Sequence, residues 1–114
     1  MAGLSPELLT FLESSDSPKQ VLITVKAHEL PSRFGSEPLY SRYAKAAERN
    51  RHGLIRALQE EQASDSRVEF NPLGLFNQVA LRAPPEVIVR IAQRPDVDEI
   101  VPDEPSDVID DLDG

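Results

Sequence analysis

The sequence predicts an α+β domain: a four-stranded antiparallel sheet with two helices on one face. Three observations predict it. Short strand-like runs recur at four places along the chain, a long helical periodicity begins at Leu39, and a Pro-capped helix start at Pro84-Pro85 separates the last two strand patterns. At 114 residues, with ten prolines and no tryptophan, the chain is one domain with a modest core, short elements and many loops.

Ser5-Pro6 supplies an N-cap and a proline at the first helical position, and Leu8, Leu9, Phe11 and Leu12 follow as the apolar positions of a short amphipathic helix. Residues 14–19 are a polar connector. The β-branched run 20–27 is the first strand, and its apolar residues on both faces mark it as central. Residues 28–38 carry two prolines, a glycine and two serines and read as a long loop. From Leu39, apolar residues at 40, 43, 44, 47, 54, 55 and 58 recur in steps of three and four, with Arg42, Lys45, Glu48, Arg49 and Arg56 on a solvated face. Gly53 costs this helix about 1 kcal/mol relative to Ala, so a bend or an end is expected there. Residues 67–71 alternate as a half-buried strand, and Pro72-Leu73-Gly74 is a turn by composition.

The third strand is expected over 75–82, antiparallel to the second, with Leu75, Asn77, Val79 and Leu81 on one face and Phe76, Gln78, Ala80 and Arg82 on the other. Pro84-Pro85-Glu86 opens a helix whose Val87, Ile88 and Ile91 face inward, and Pro95 ends it. Residues 97–101 are the fourth strand. The order β, α, β, β, α, β is the ferredoxin-like split βαβ arrangement. It leaves one sheet face bare, with Phe76 and Ala80 on it if Val79 and Leu81 point to the helices, and an exposed aromatic there signals a docking partner.

Charge is divided unevenly. Residues 1–95 hold all 12 Lys and Arg against 11 Asp and Glu, whereas residues 96–114 hold nine acids and no base, so the net charge of −8 belongs to the tail. Such a tail repels nucleic acid and anionic lipid. Without cysteine there is no disulfide framework or thiolate metal site. No stretch has the apolar length to cross a bilayer and the N-terminus does not resemble a secretory signal, so a cytoplasmic protein is expected.

Chemistry-bearing motifs are sparse. His28 falls in a loop and His52 among charged helix residues, which supports neither a catalytic triad nor a zinc site. Gly53 and Gly74 stand alone rather than in a phosphate loop. Residues 27–30 lack the glycine and arginine of an acylphosphatase-like loop, and the first strand lacks the aromatics on which an RNA-recognition sheet stacks bases. Asp110-Asp111-Leu112-Asp113-Gly114 opens like a calcium loop without its downstream ligands. No enzyme activity, metal or cofactor is expected.

Phe76-Asn77, Ala80, Arg82, Pro84-Pro85-Glu86, the helix with Ile91, Pro95-Asp96-Val97 and Ile100-Val101-Pro102-Asp103 together resemble the propeptide domain of subtilisin-like serine proteases, the inhibitor I9 type. That family shows an F-N-G-F-A-V-like strand, an L-P-P-E helix start and a V-E-P-D strand end. The likeness spans roughly residues 20–105 and is carried by 76–103, where the order and spacing of short motifs give it weight. It divides the chain into an N-terminal helix and connector (1–19), the propeptide-like domain (20–103) and an acidic tail (104–114).

The resemblance implies a protein inhibitor, and a folding chaperone, of a subtilisin-like serine protease. It implies that the bare sheet face, with Phe76, Gln78 and Ala80, packs on two protease helices. Asp103, and Glu104 as a second, would cap the N-termini of those helices, where unpaired amides favour anions. The tail would lie as an added strand in the substrate cleft, with Glu104, Pro105, Ser106, Asp107, Val108 and Ile109 in the non-primed subsites.

Three departures from the family stand out. Gln78 replaces the usual glycine, Val101 and Pro102 stand where carboxylates are frequent, and the tail carries Asp107, Asp110, Asp111 and Asp113. The N-terminal helix and initial Met favour a free-standing inhibitor over an excised propeptide, monomeric when free. The competing expectation is a ferredoxin-like regulatory or adaptor domain that binds a non-protease protein through the same bare face.

Overall fold

The computed structural model describes residues 5–28, 30–31, 35–73 and 76–103. It is an α+β fold with one four-stranded antiparallel open sheet and three helices. The elements are α1 (Pro6–Glu13), β1 (Lys19–Val25), α2 (Leu39–Ser64), β2 (Glu69–Pro72), β3 (Gln78–Ala83), α3 (Pro85–Ala92) and β4 (Val97–Pro102). Across the sheet the strands run β2-β3-β1-β4. The strand with apolar residues on both faces, β1, is thus central, and each neighbour pairs with it antiparallel.

One core unites the elements. Val21, Ile23 and Val25 of β1, with Val79, Leu81 and Ala83 of β3, turn the same way and meet Leu54 and Leu58 of α2 and Val87, Ile88 and Ile91 of α3. The N-terminal helix belongs to it as well, because Leu8 and Leu12 of α1 are buried in the same cluster. All three helices therefore line one face of the sheet, where the sequence reading counted two and kept α1 apart. Val97 and Ile100 are three residues apart, a spacing that alternation would send to opposite faces. A bulge between Thr24 and Val25 on the register with β4 skips Asp98 and turns both residues inward.

Two sequence expectations shift. The third strand begins at Gln78, after Phe76 and Asn77, because the Phe76 N–H donates to the Leu73 carbonyl (2.8 Å) and closes a turn there; Leu75 lies outside the described residues. Pro72 pairs with Val79 inside β2, which an edge strand tolerates since a proline there removes no bond from a central ladder. At Gly53, α2 does not end; it continues to Ser64. The glycine instead makes room, for a Cβ would come within 3.2 Å of Asp96 Oδ2 and 3.3 Å of Arg94 Nη2, which are ion-paired to each other.

Where α2 passes α3, Arg90 grips Glu61 through Nε (2.9 Å) and Nη2 (2.8 Å). Those hydrogen bonds, then the charge of Arg90, hold the Glu61 carboxyl below its ordinary 4.5 against the opposing effect of burial. A carboxylate with a depressed folded-state pKa contributes stability above its unfolded value and loses it as pH falls through the folded one. Glu61→Gln is expected to lower the unfolding midpoint at neutral pH, and the two proteins should converge once acid protonates Glu61. Thermal melts across the acid range check this.

Candidate functional site

Opposite the helices, the sheet presents a face that no described element covers. Strand register defines its rows. Asn71, Ala80, Leu22 and Val101 lie side by side across all four strands. Gln78, Thr24 and Glu99 form a second row, and Glu69, Arg82 and Gln20 a third. The middle row is apolar over three strands, with Leu22 and Ala80 half-buried and Val101 37% exposed. The flanking rows are polar or charged, and a shallow depression of about 250 Å³ over Gln20, Glu69, Asn71, Ala80 and Arg82 leads into it. An apolar centre with a polar rim is the composition of a protein-docking patch rather than of a catalytic cleft.

Each expected site residue has its own location. Ala80 lies in the centre of the open face, next to Leu22. Gln78 is on the same face, and its Nε2 approaches Thr24 Oγ1 at 3.4 Å, so its side chain lies along the sheet. Phe76 is 64% exposed but precedes β3, in the turn at the end of the sheet beside the middle of α2, where Arg51 reaches its carbonyl. Asp103 is at the other end: its N–H donates to the Gln20 carbonyl at 2.9 Å, which extends the β1–β4 ladder one residue and leaves the exposed carboxylate at the sheet margin. Glu104, Pro105, Ser106, Asp107, Val108 and Ile109 lie outside the described residues.

Leu22, Thr24, Glu99 and Val101 belong to this face and were not assigned to it from the sequence. The signal for Leu22 was present in β1, whose apolar content on both faces was read only as centrality. For Glu99 and Val101, the bulge at Asp98 decides the face, and no periodicity in the sequence reports it.

The chain matches no protein-family model, no curated protein and no solved structure.

Elsewhere, two buried polar side chains fasten α2 to the start of β3. Asn50 Nδ2 donates to Asn77 Oδ1 (3.0 Å) and Arg51 Nη1 to the Phe76 carbonyl (3.2 Å). Burial lowers the Arg51 pKa, with the Glu48 charge opposing, yet a guanidinium stays charged. His28 and His52 are exposed and line a hollow on α2 with Lys45, Glu48 and Arg49, away from the open face. Among the described residues no group of three His, Cys, Asp or Glu side chains could hold a metal ion, and no helix is long and apolar enough to cross a membrane.

Proposed function

We propose that the chain is a protein inhibitor of a subtilisin-like serine protease, built on the ferredoxin-like split βαβ fold. The connectivity β1-α2-β2-β3-α3-β4 with β1 between β3 and β4 supports that fold. The observation that carries the function is the uncovered sheet face with its apolar row Leu22, Ala80 and Val101, ending in an exposed carboxylate at Asp103. Two protease helices can lie on the apolar row. Asp103, held in register by its bond to Gln20, can then accept from the free amides at one helix N-terminus, where the helix dipole favours an anion. Residues 104–109, which follow Asp103 in sequence, can add to the edge of the substrate cleft by β-augmentation. Occupation of the cleft without chemistry on the inhibitor's side blocks the enzyme.

The test is direct. Mixing the chain with a subtilisin-like protease is expected to slow peptide hydrolysis with a nanomolar to micromolar constant, corresponding to roughly −8 to −12 kcal/mol. Asp103→Ala should weaken inhibition by on the order of 1 kcal/mol, about fivefold, by removing the cap. No inhibition across a panel of such proteases would overturn this reading and favour an adaptor domain that uses the same face for another protein.

A further inference from the structure

Arg51 is the only buried charged side chain among the described residues, at 7% exposed. Arginine is rarely buried without an acid beside it, because a desolvated cation needs a countercharge. Lys45, Arg67, Arg90 and Arg94, all more exposed, each have one, in Glu37, Asp65, Glu61 and Asp96. Arg51 has none among the described residues. Its Nη1 donates to the Phe76 carbonyl, and its Nε is buried without a hydrogen-bond partner. Nη2 bonds to no described residue either but is not sealed off as Nε is, so it is the donor left for a ligand.

Arg51 borders a hollow. Glu48, Arg51, His52 and Ile55 lie in steps of three and four along one flank of α2, and with Pro72 of β2 they surround about 310 Å³, the small end of the range for ligand pockets. Two chemistries meet there. Arg51 supplies a positive charge, while half-buried Ile55 and Pro72 supply apolar wall.

We propose that this hollow binds a small organic monocarboxylate, its anionic head on Arg51 and its short aliphatic body against Ile55 and Pro72. A guanidinium presents its donors as a planar fork that matches a carboxylate. Glu48 lines the same hollow, and its charge, which Arg51 feels, opposes a dianion more than a monoanion. That argues against phosphate. The neighbouring hollow, lined by His28, Lys45 and Arg49 and sharing Glu48 and His52, has neither an apolar wall nor a buried cation, so the ligand belongs on the Arg51 side. Because Arg51 also holds the Phe76 carbonyl, the bound acid tightens the joint between α2 and the turn that leads into β3.

The experiment titrates sodium butyrate into the full chain at constant ionic strength and follows backbone amide resonances, with no protease present, so its outcome is separate from that of the inhibitor reading. Saturable shifts centred on Arg51, His52 and Ile55 are expected, with a dissociation constant of about 1 mM. Butanol, which lacks the charge, and inorganic phosphate, which lacks the apolar body, should each bind about tenfold more weakly or worse. Arg51→Gln should weaken butyrate binding about tenfold or more, Glu48→Gln should strengthen it, and Arg49→Gln should leave it unchanged. No saturable response to butyrate, a response to phosphate of equal strength, or an effect of Arg49→Gln as large as that of Arg51→Gln overturns the proposal. If Arg51→Gln does not fold, a Glu48→Gln chain that binds butyrate no more tightly than the unaltered chain overturns it.

Discussion

Leu54→Ala is expected to cost about 2–5 kcal/mol of folding stability, the range for emptying a buried leucine site. Leu54 is fully buried and lies on α2 where it faces β1 and β3, so the vacancy opens at the centre of the single core rather than at a margin that could collapse. A domain of this size has a total of roughly 5–15 kcal/mol, and each 1 kcal/mol lost lowers the midpoint by about 4–8 °C. A fall of some 10 °C or more is therefore expected in a thermal melt followed by circular dichroism. Tyr40→Ala on the same helix, four turns earlier, is the control: its side chain is exposed, and its replacement should change stability by about 0.5 kcal/mol or less. Equal losses in the two variants would mean that Tyr40, too, supports the packing of α2.

The same pair of residues explains what the sequence could disclose. Leu54 and Tyr40 share one helical stripe, and periodicity identified the stripe, its helix and its start at Leu39. Periodicity cannot say how far the sheet extends beneath the helix, because that depends on the length of β1 and on where β3 begins. The start of β3 was itself hidden, since alternation through Phe76 and Asn77 is interrupted by a turn that only the Leu73–Phe76 hydrogen bond fixes. Proline-bearing boundaries were easier: Pro6 and Pro85 at the first helical positions, and Pro95 past the end of α3, bound their elements by chain chemistry alone.

The open face was half legible. Alternation in β3 sends Val79 and Leu81 one way and Gln78 and Ala80 the other, and that assignment needs nothing beyond the pleat. β4 is different. Val97 and Ile100 both face the core only because Asp98 is bulged out, and the same device turns Glu99 and Val101 to the open side. A strict two-residue period from Val97 would have sent Glu99 and Val101 into the core.

Leu22 offers the sharpest separation of fold from docking. Its side chain points away from the core and is half-buried between Ala80 and Val101, so Leu22→Asp is expected to cost the free domain only about 1 kcal/mol, the span of strand preferences in a sheet. In a complex the same carboxylate would be trapped under a protease helix without a partner. Burying an unpaired charge costs several kcal/mol, and a loss of about 3 kcal/mol is already more than a hundredfold in affinity. Inhibition of a subtilisin-like protease should therefore fall at least a hundredfold while the thermal midpoint moves little. Removal of residues 104–114 should produce a comparable loss by emptying the cleft, again with the fold intact. The two variants divide the mechanism between platform and tail. If Leu22→Asp inhibits like the unaltered chain while tail removal abolishes inhibition, the tail acts as a tethered peptide and the open face is not the docking surface. If neither variant matters, the inhibitor reading falls with both.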